Sequence, residues 1–217
     1  MLRSLDSLLG SAIVAPDGEV GKAYNVLFDD RSWAVRYLVV ETNFWFTRGQ
    51  VLISPTALGM PNWTEKTIPV QLTRLEVENS PDVDADQPVS RQQERVMIKH
   101  DGWVPNPEPF ILSDVLNDVS VPESEARSGS EGDPHLRSAK EIARYRVDAS
   151  DGPLGDITDF VIDDERWEIL KLVVSPESSS DNRRVLIPTR WVSEVSWEQR
   201  RVRLSLRGTT TDFLTKP

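Results

Sequence analysis

The chain has 217 residues, no cysteine and a formal net charge of −10. Without cysteine there is no disulfide framework and no thiol chemistry, which suits a reducing compartment. The acidic balance argues against a nucleic-acid binder, which would show a basic footprint, and no apolar run approaches the roughly 20 residues of a spanning helix.

The first element is a short helical turn after Ser4, followed by the apolar run Leu8 to Ala15. That run resembles a signal h-region, but Asp6 interrupts its approach and it aligns with Ile142 to Ala149 inside the chain, so it reads as part of a domain. Turn residues Asp17, Gly18 and Gly21 come next, glycine permitting backbone angles that side chains forbid. Strands are expected around 22–29 and 33–42 with a turn at Asp29-Asp30, then near 50–54 and 66–72. The strand at 33–42 is apolar on both faces. Simple alternation puts Trp33, Val35, Tyr37 and Val39 on one side and Ala34, Leu38 and Val40 on the other with Arg36, so both sides need covering.

The same series then recurs. Residues 3–72 align with 137–206 at a constant offset of 134, with 17 of 70 pairs identical, against roughly 4 expected by chance for ordinary composition. DGEVGKAYNVLFDDRSWAVRYLVV from Asp17 is matched by DGPLGDITDFVIDDERWEILKLVV from Asp151. Ser138-Ala139-Lys140-Glu141 reads as a capping box, and Val202, Leu204 and Leu206 alternate with Arg201, Arg203, Ser205 and Arg207. The reading is two copies of one small domain, 1–80 and 135–217, joined by a linker, 81–134. Units of about 70 residues are marginal alone, so the copies should lean on each other, on the linker or on a second chain. Five or six short strands per copy indicate a small closed or nearly closed β-barrel. The linker holds 4 basic and 12 acidic groups. A helix is expected near 90–100, no regular structure across Pro105, Pro107 and Pro109, and disorder over 119–134.

The DG-x-x-G turn, the DD-x-x-W hairpin, the LVV strand, the VLI-S-P step at Val51 to Pro55 and the segments Val77 to Asp84 and Pro88 to Gln92 together resemble the PRC-barrel family. That family is named for the cytoplasmic domain of the photosynthetic reaction centre H subunit, and the match covers both copies and the tail after the first. The resemblance implies a small β-barrel used as a docking module, in reaction-centre assembly and, in a ribosome maturation factor, beside an RNA-linked domain. This sequence has no match to the H subunit's transmembrane helix, and His100 to Pro105 has few of the aromatics expected in the family's tail.

Catalytic candidates are few. The only histidines are His100 and His135, and the repeated pairs Asp29/Asp30 and Asp163/Asp164 sit where aspartate favours turns. Asp82-Val83-Asp84-Ala85-Asp86 opens like a calcium loop, but Gln87 and Gln93 stand where glycine and a bidentate glutamate are required. Trp33, Trp63, Trp167 and Trp197 recur with the repeat and read as core.

Differences between copies point to partner binding. Phe44-Trp45-Phe46 aligns with Ser178-Ser179-Ser180, so these aromatics are not needed by the fold and mark either internal packing or a contact with a partner or second copy. Thr67, Pro69 and Thr73 become Arg201, Arg203 and Arg207, a basic edge suited to blocking strand aggregation, to docking the acidic linker or to an anionic partner. The expectation is a mainly β, cytoplasmic, non-catalytic protein of two tandem PRC-barrels, with no metal or cofactor, acting through a protein partner or as a homodimer. The alternatives are a peripheral accessory subunit of a membrane-bound electron-transfer complex and an RNA- or ribosome-associated factor.

Overall fold

The computed structural model describes residues 1–43, 48–80, 135–176 and 184–205. The readings placed on the linker 81–134, on Phe44, Trp45 and Phe46, on Ser178 to Ser180, and on Leu206 and Arg207 lie outside the described residues. What is described is mainly β, arranged as two curled sheets.

The first repeat runs β1 (Leu2–Ser4), α1 (Leu5–Leu8), β2 (Ala12–Ala15), β3 (Gly18–Asp29), β4 (Val35–Asn43), β5 (Arg48–Ile53), a 3-10 turn at Pro55–Ala57, β6 (Thr67–Pro69) and α2 (Arg74–Glu78). The second runs β7 (Leu136–Ser138), α3 (Ala139–Ile142), β8 (Arg146–Ala149), β9 (Gly152–Asp163), β10 (Glu168–Pro176), β11 (Val185–Pro188), a 3-10 turn at Thr189–Trp191, β12 (Val192–Ser196) and β13 (Arg201–Leu204). One sheet has the order β5-β4-β3-β2-β6 and the other β11-β10-β9-β8-β13-β12.

The first strand of each repeat belongs to the other repeat's sheet. β1 pairs antiparallel with β9, Leu2 opposite Asp163 and Ser4 opposite Val161, while β7 pairs with β3, Leu136 opposite Asp29 and Ser138 opposite Leu27. β3 and β9 are long enough for this. Their first halves pair with β2 and β8, and their last residues remain available on the same edge for the visiting strand. Ser4 and Ser138 then cap the following helices, each side-chain oxygen accepting a backbone N–H from Ser7 or Glu141.

The capping box expected at Ser138 forms only by half, because Glu141 accepts the Tyr145 hydroxyl at 2.9 Å. A complete box occurs instead at Thr73 and Glu76 on α2, where Thr73-Arg74-Leu75-Glu76 carries the same signature.

The alternation expected in β4 is corrected by a bulge. Leu27 pairs with Tyr37 and Phe28 with Val35, leaving Arg36 as the extra residue, and Leu170 is extra at the equivalent place in β10. An inserted residue reverses the facing of everything after it. Trp33 and Val35 therefore join Leu38 and Val40 in the main core, while Tyr37 and Val39 turn to the outer face.

The main core is continuous across both repeats, containing Leu5, Leu8, Ile13, Phe28, Leu38 and Ile53 together with Ile142, Phe160, Ile169, Leu172 and Ile187. Each such side chain contributes roughly 1.5–3 kcal/mol on burial, and sharing one core answers the marginal size of a single repeat.

Two glycines make the sheets possible. A Cβ on Gly21 would collide with the Glu41 carbonyl, and one on Gly155 with the Ser175 carbonyl; Gly155 also sits at φ +151°. Gly155→Ala should cost roughly 2–4 kcal/mol in urea unfolding, combining backbone displacement with conformational strain. Gly10→Ala, at φ +80° with nothing within 4 Å of its Cβ, should cost only the roughly 1–2 kcal/mol of a left-handed alanine.

Candidate interaction surfaces

The contacts between repeats are reciprocal, as around a two-fold axis. Where the two β-hairpin turns meet, Val35 N–H donates to the Trp167 carbonyl at 2.7 Å and Ile169 N–H to the Trp33 carbonyl at 2.9 Å. Both tryptophans hold left-handed backbone, φ 61° and 52°, a conformation that costs roughly 1–2 kcal/mol for a side-chain-bearing residue. Trp33 offsets this by stacking on Phe28 at 5.2 Å, and Phe28 meets Phe160 at 6.1 Å across the axis.

The repeated aspartates divide the work at each turn. Asp29 accepts the Arg31 and Ser32 N–H groups and the Ser32 hydroxyl, which fixes the turn. Asp30, 8% exposed, crosses to the other repeat, where His135 Nδ1 lies at 2.9 Å and Arg137 Nε at 2.7 Å. In the second copy Asp164 receives the Met1 ammonium and, from the first copy, the Trp63 indole N–H at 2.8 Å. Turn formation thus accounts for only one member of each pair. The other is an anchor between repeats, which local turn chemistry does not foreshadow.

A second anchor lies at the exchanged strands. Asn25 donates to the Ser138 hydroxyl at 2.8 Å and accepts the Lys140 N–H at 3.2 Å. Its counterpart Asp159 accepts the Ser4 hydroxyl at 2.5 Å and the Asp6 N–H at 3.1 Å. Lys140 Nζ lies 3.2 Å from the Tyr24 ring centroid, a cation–π contact across the same boundary.

Arg201 and Arg203 are exposed on β13, as alternation predicts, with Val202 and Leu204 buried between and after them. They are not free cations. Arg201 pairs with Asp148 at 2.8 Å, and Arg203 with Glu194 at 2.8 Å and Gln199 at 3.0 Å. An anionic partner would have to displace these carboxylates. The third arginine of that set, Arg207, and the aromatics Phe44, Trp45 and Phe46 lie outside the described residues. The four residues containing those aromatics link β4 to β5 after the pair Asn43 and Arg48.

The outer faces of the two sheets differ. Leu27, Tyr37, Val39, Leu52 and Leu136 form a second buried cluster on the first. The offset of 134 places Val161, Lys171, Val173, Leu186 and Leu2 at the equivalent positions on the second, where Leu2 is 54% exposed. Beside that face an open groove of about 520 Å³ is lined by Leu170, Lys171, Pro188, Arg190 and Trp191, among others. The tryptophan expectation is corrected at one position. Trp33 and Trp167 are buried and Trp63 packs partly against the core, but Trp197 is 56% exposed. It sits in the β12–β13 turn, where its carbonyl accepts the Arg200 N–H at 3.2 Å, whereas Trp63 is drawn inward by Asp164.

Among the described residues no group of three acidic, histidine or cysteine side chains is arranged to hold a metal ion, and no helix is long and apolar enough to cross a membrane. Compared with known proteins, the chain matches no family model and no curated protein.

Asp30→Ala, which strands Arg137 at the boundary, should destabilise by roughly 2–4 kcal/mol, near the range for breaking a buried pair. Arg201→Ala should change stability by less than about 1 kcal/mol, as for an exposed pair; urea midpoints separate the two cases. Asp163 titrates below the ordinary carboxylate range, chiefly because the Glu165 N–H donates to it. Its contribution is therefore complete above the unfolded value and is lost as pH falls through the depressed folded one. The midpoint difference between Asp163→Asn and the native chain should be largest above about pH 5 and vanish in strong acid.

Proposed function

We propose that this chain is a non-catalytic docking protein built from two PRC-barrel repeats, acting by protein–protein contact and by association with itself. The observation that carries the reading is the duplicated motif set in its order and spacing, supported by a mainly β architecture of one curled sheet per repeat. The asymmetry of the β4–β5 and β10–β11 connections supports docking. One copy carries Phe44-Trp45-Phe46 where the other carries three serines, and aromatic side chains concentrate binding energy at interfaces. The polar groups nearest to a catalytic dyad, Asp29/Asp30 and Asp163/Asp164, are engaged in turns and in contacts between repeats.

On this reading Trp45→Ala should leave the unfolding free energy from urea titration within about 0.5 kcal/mol of native. It should weaken the self-association that reverses on dilution, or retention of a captured partner, at least about tenfold. Unchanged association and capture would overturn the docking reading. The resemblance also supports a membrane-complex accessory subunit, which would co-sediment with native membranes. A ribosomal or RNA role would instead show salt-sensitive RNA binding abolished by Arg201→Glu with Arg203→Glu.

A further inference from the structure

The boundary between the repeats has the form of a homodimer interface. Its backbone contacts occur twice with roles exchanged: β1 on β9 and β7 on β3, Val35 to Trp167 and Ile169 to Trp33, Asp30 N–H to the His135 carbonyl and Asp164 N–H to the Met1 carbonyl. Such an isologous surface is completed by any unit of the same shape in the same orientation. It does not depend on which chain supplies that unit.

The covalent connection from the first repeat to the second is the segment 81–134, whose fully extended reach is at most roughly 180–190 Å. That is several times the roughly 30 Å diameter of a small domain, so the number of residues in the connection does not by itself bar pairing with another molecule. Covalent connection raises the effective concentration of each repeat for the other above that of a separate molecule in dilute solution. It favours pairing within one chain at low concentration without forbidding exchange.

We infer that the partner this surface fits is a second copy of the same chain, giving a closed dimer in which the first repeat of each molecule pairs with the second repeat of the other. The described contacts between repeats are all retained, and only the identity of the donating chain changes. Interconversion requires β1 and β7 to leave their sheets and the shared core to open, so the ratio of forms is fixed when the chain folds. This inference does not rest on the aromatic loop, and Trp45→Ala leaves it untouched.

Two full-length variants test it, Asp30→Arg and Arg137→Asp. Each has one like-charge contact at the boundary when it pairs with itself. In an exchanged heterodimer both contacts become complementary. The two substituted positions face each other with opposite charges in one half, and the native pair occupies the other half. The variants are co-refolded from urea at equal concentration, one of them isotope-labelled, and the products are separated by size with mass detection.

The expected result is a mixed species of twice the 24.5 kDa chain mass, at least about tenfold more abundant than the dimer of either variant refolded alone and persistent on dilution. A mixture that only sums the two separate behaviours overturns the inference. Should both variants aggregate alone and together, cysteines decide instead. Leu2→Cys in one chain and Asp163→Cys in the other occupy paired positions of β1 and β9, and the native chain has no cysteine to interfere. After concentrated co-refolding and oxidation, a disulfide joining the two different chains in excess over like-chain disulfides supports exchange, and its absence refutes it.

Discussion

Everything in this fold depends on the last three residues of β3 and of β9 having a partner. β2 and β8 cover only the beginnings of those long strands. Buried backbone groups left unpaired would cost about as much as lost hydrogen bonds, so the exposed ends must recruit another strand. They recruit β7 and β1, each brought by a helix whose apolar side chains, Leu8 and Ile142, are wholly buried in the common core. The strand supplies hydrogen bonds and the helix supplies hydrophobic burial. Neither repeat has both without the other.

The shared boundary explains residue choices that a single repeat would not need. A tryptophan with left-handed backbone is a poor turn residue in isolation, but at Trp33 and Trp167 the carbonyl is delivered to the opposite hairpin. Asp30 and Asp164 use the same turn to reach across. Away from the axis the copies are free to diverge. A symmetric dimer must carry any surface substitution twice, whereas a fused pair carries it once. Tyr37 in one sheet and Lys171 in the other show that release, one outer face sealed and the other open with Leu2 exposed.

Much of this is legible in the sequence. The constant offset gives the repeat, the Asp-Gly and Asp-Asp signals give the turns, and the period of two in 201–204 places Val202 and Leu204 inside. The facing of Tyr37 and Val39 is not legible, because a bulge adds a residue without a distinctive local signature and reverses the strand after Arg36. Strand exchange is hidden for a different reason. Leu2–Ser4 and Leu136–Ser138 look alike, so pattern alone does not say which sheet each joins. The ion pairs of Arg201 and Arg203 are hidden too, since Asp148 and Glu194 lie on other strands. The capping box at Thr73 does carry a readable signal, and it lies just past the strand residues of the first repeat.

Exchange also sets the order in which the molecule can be made. On a ribosome, the first repeat is complete in sequence by Ser80, yet the end of β3 waits for β7, which starts at Leu136. At roughly 5–20 residues per second of synthesis, that interval lasts about 3–11 s. Throughout it, the edge residues Leu27 to Asp29 have no partner strand yet made in their own chain, and β1 has no sheet to join. A growing chain on a neighbouring ribosome has the same edge residues, so crowding of the message is itself a variable in how this protein assembles.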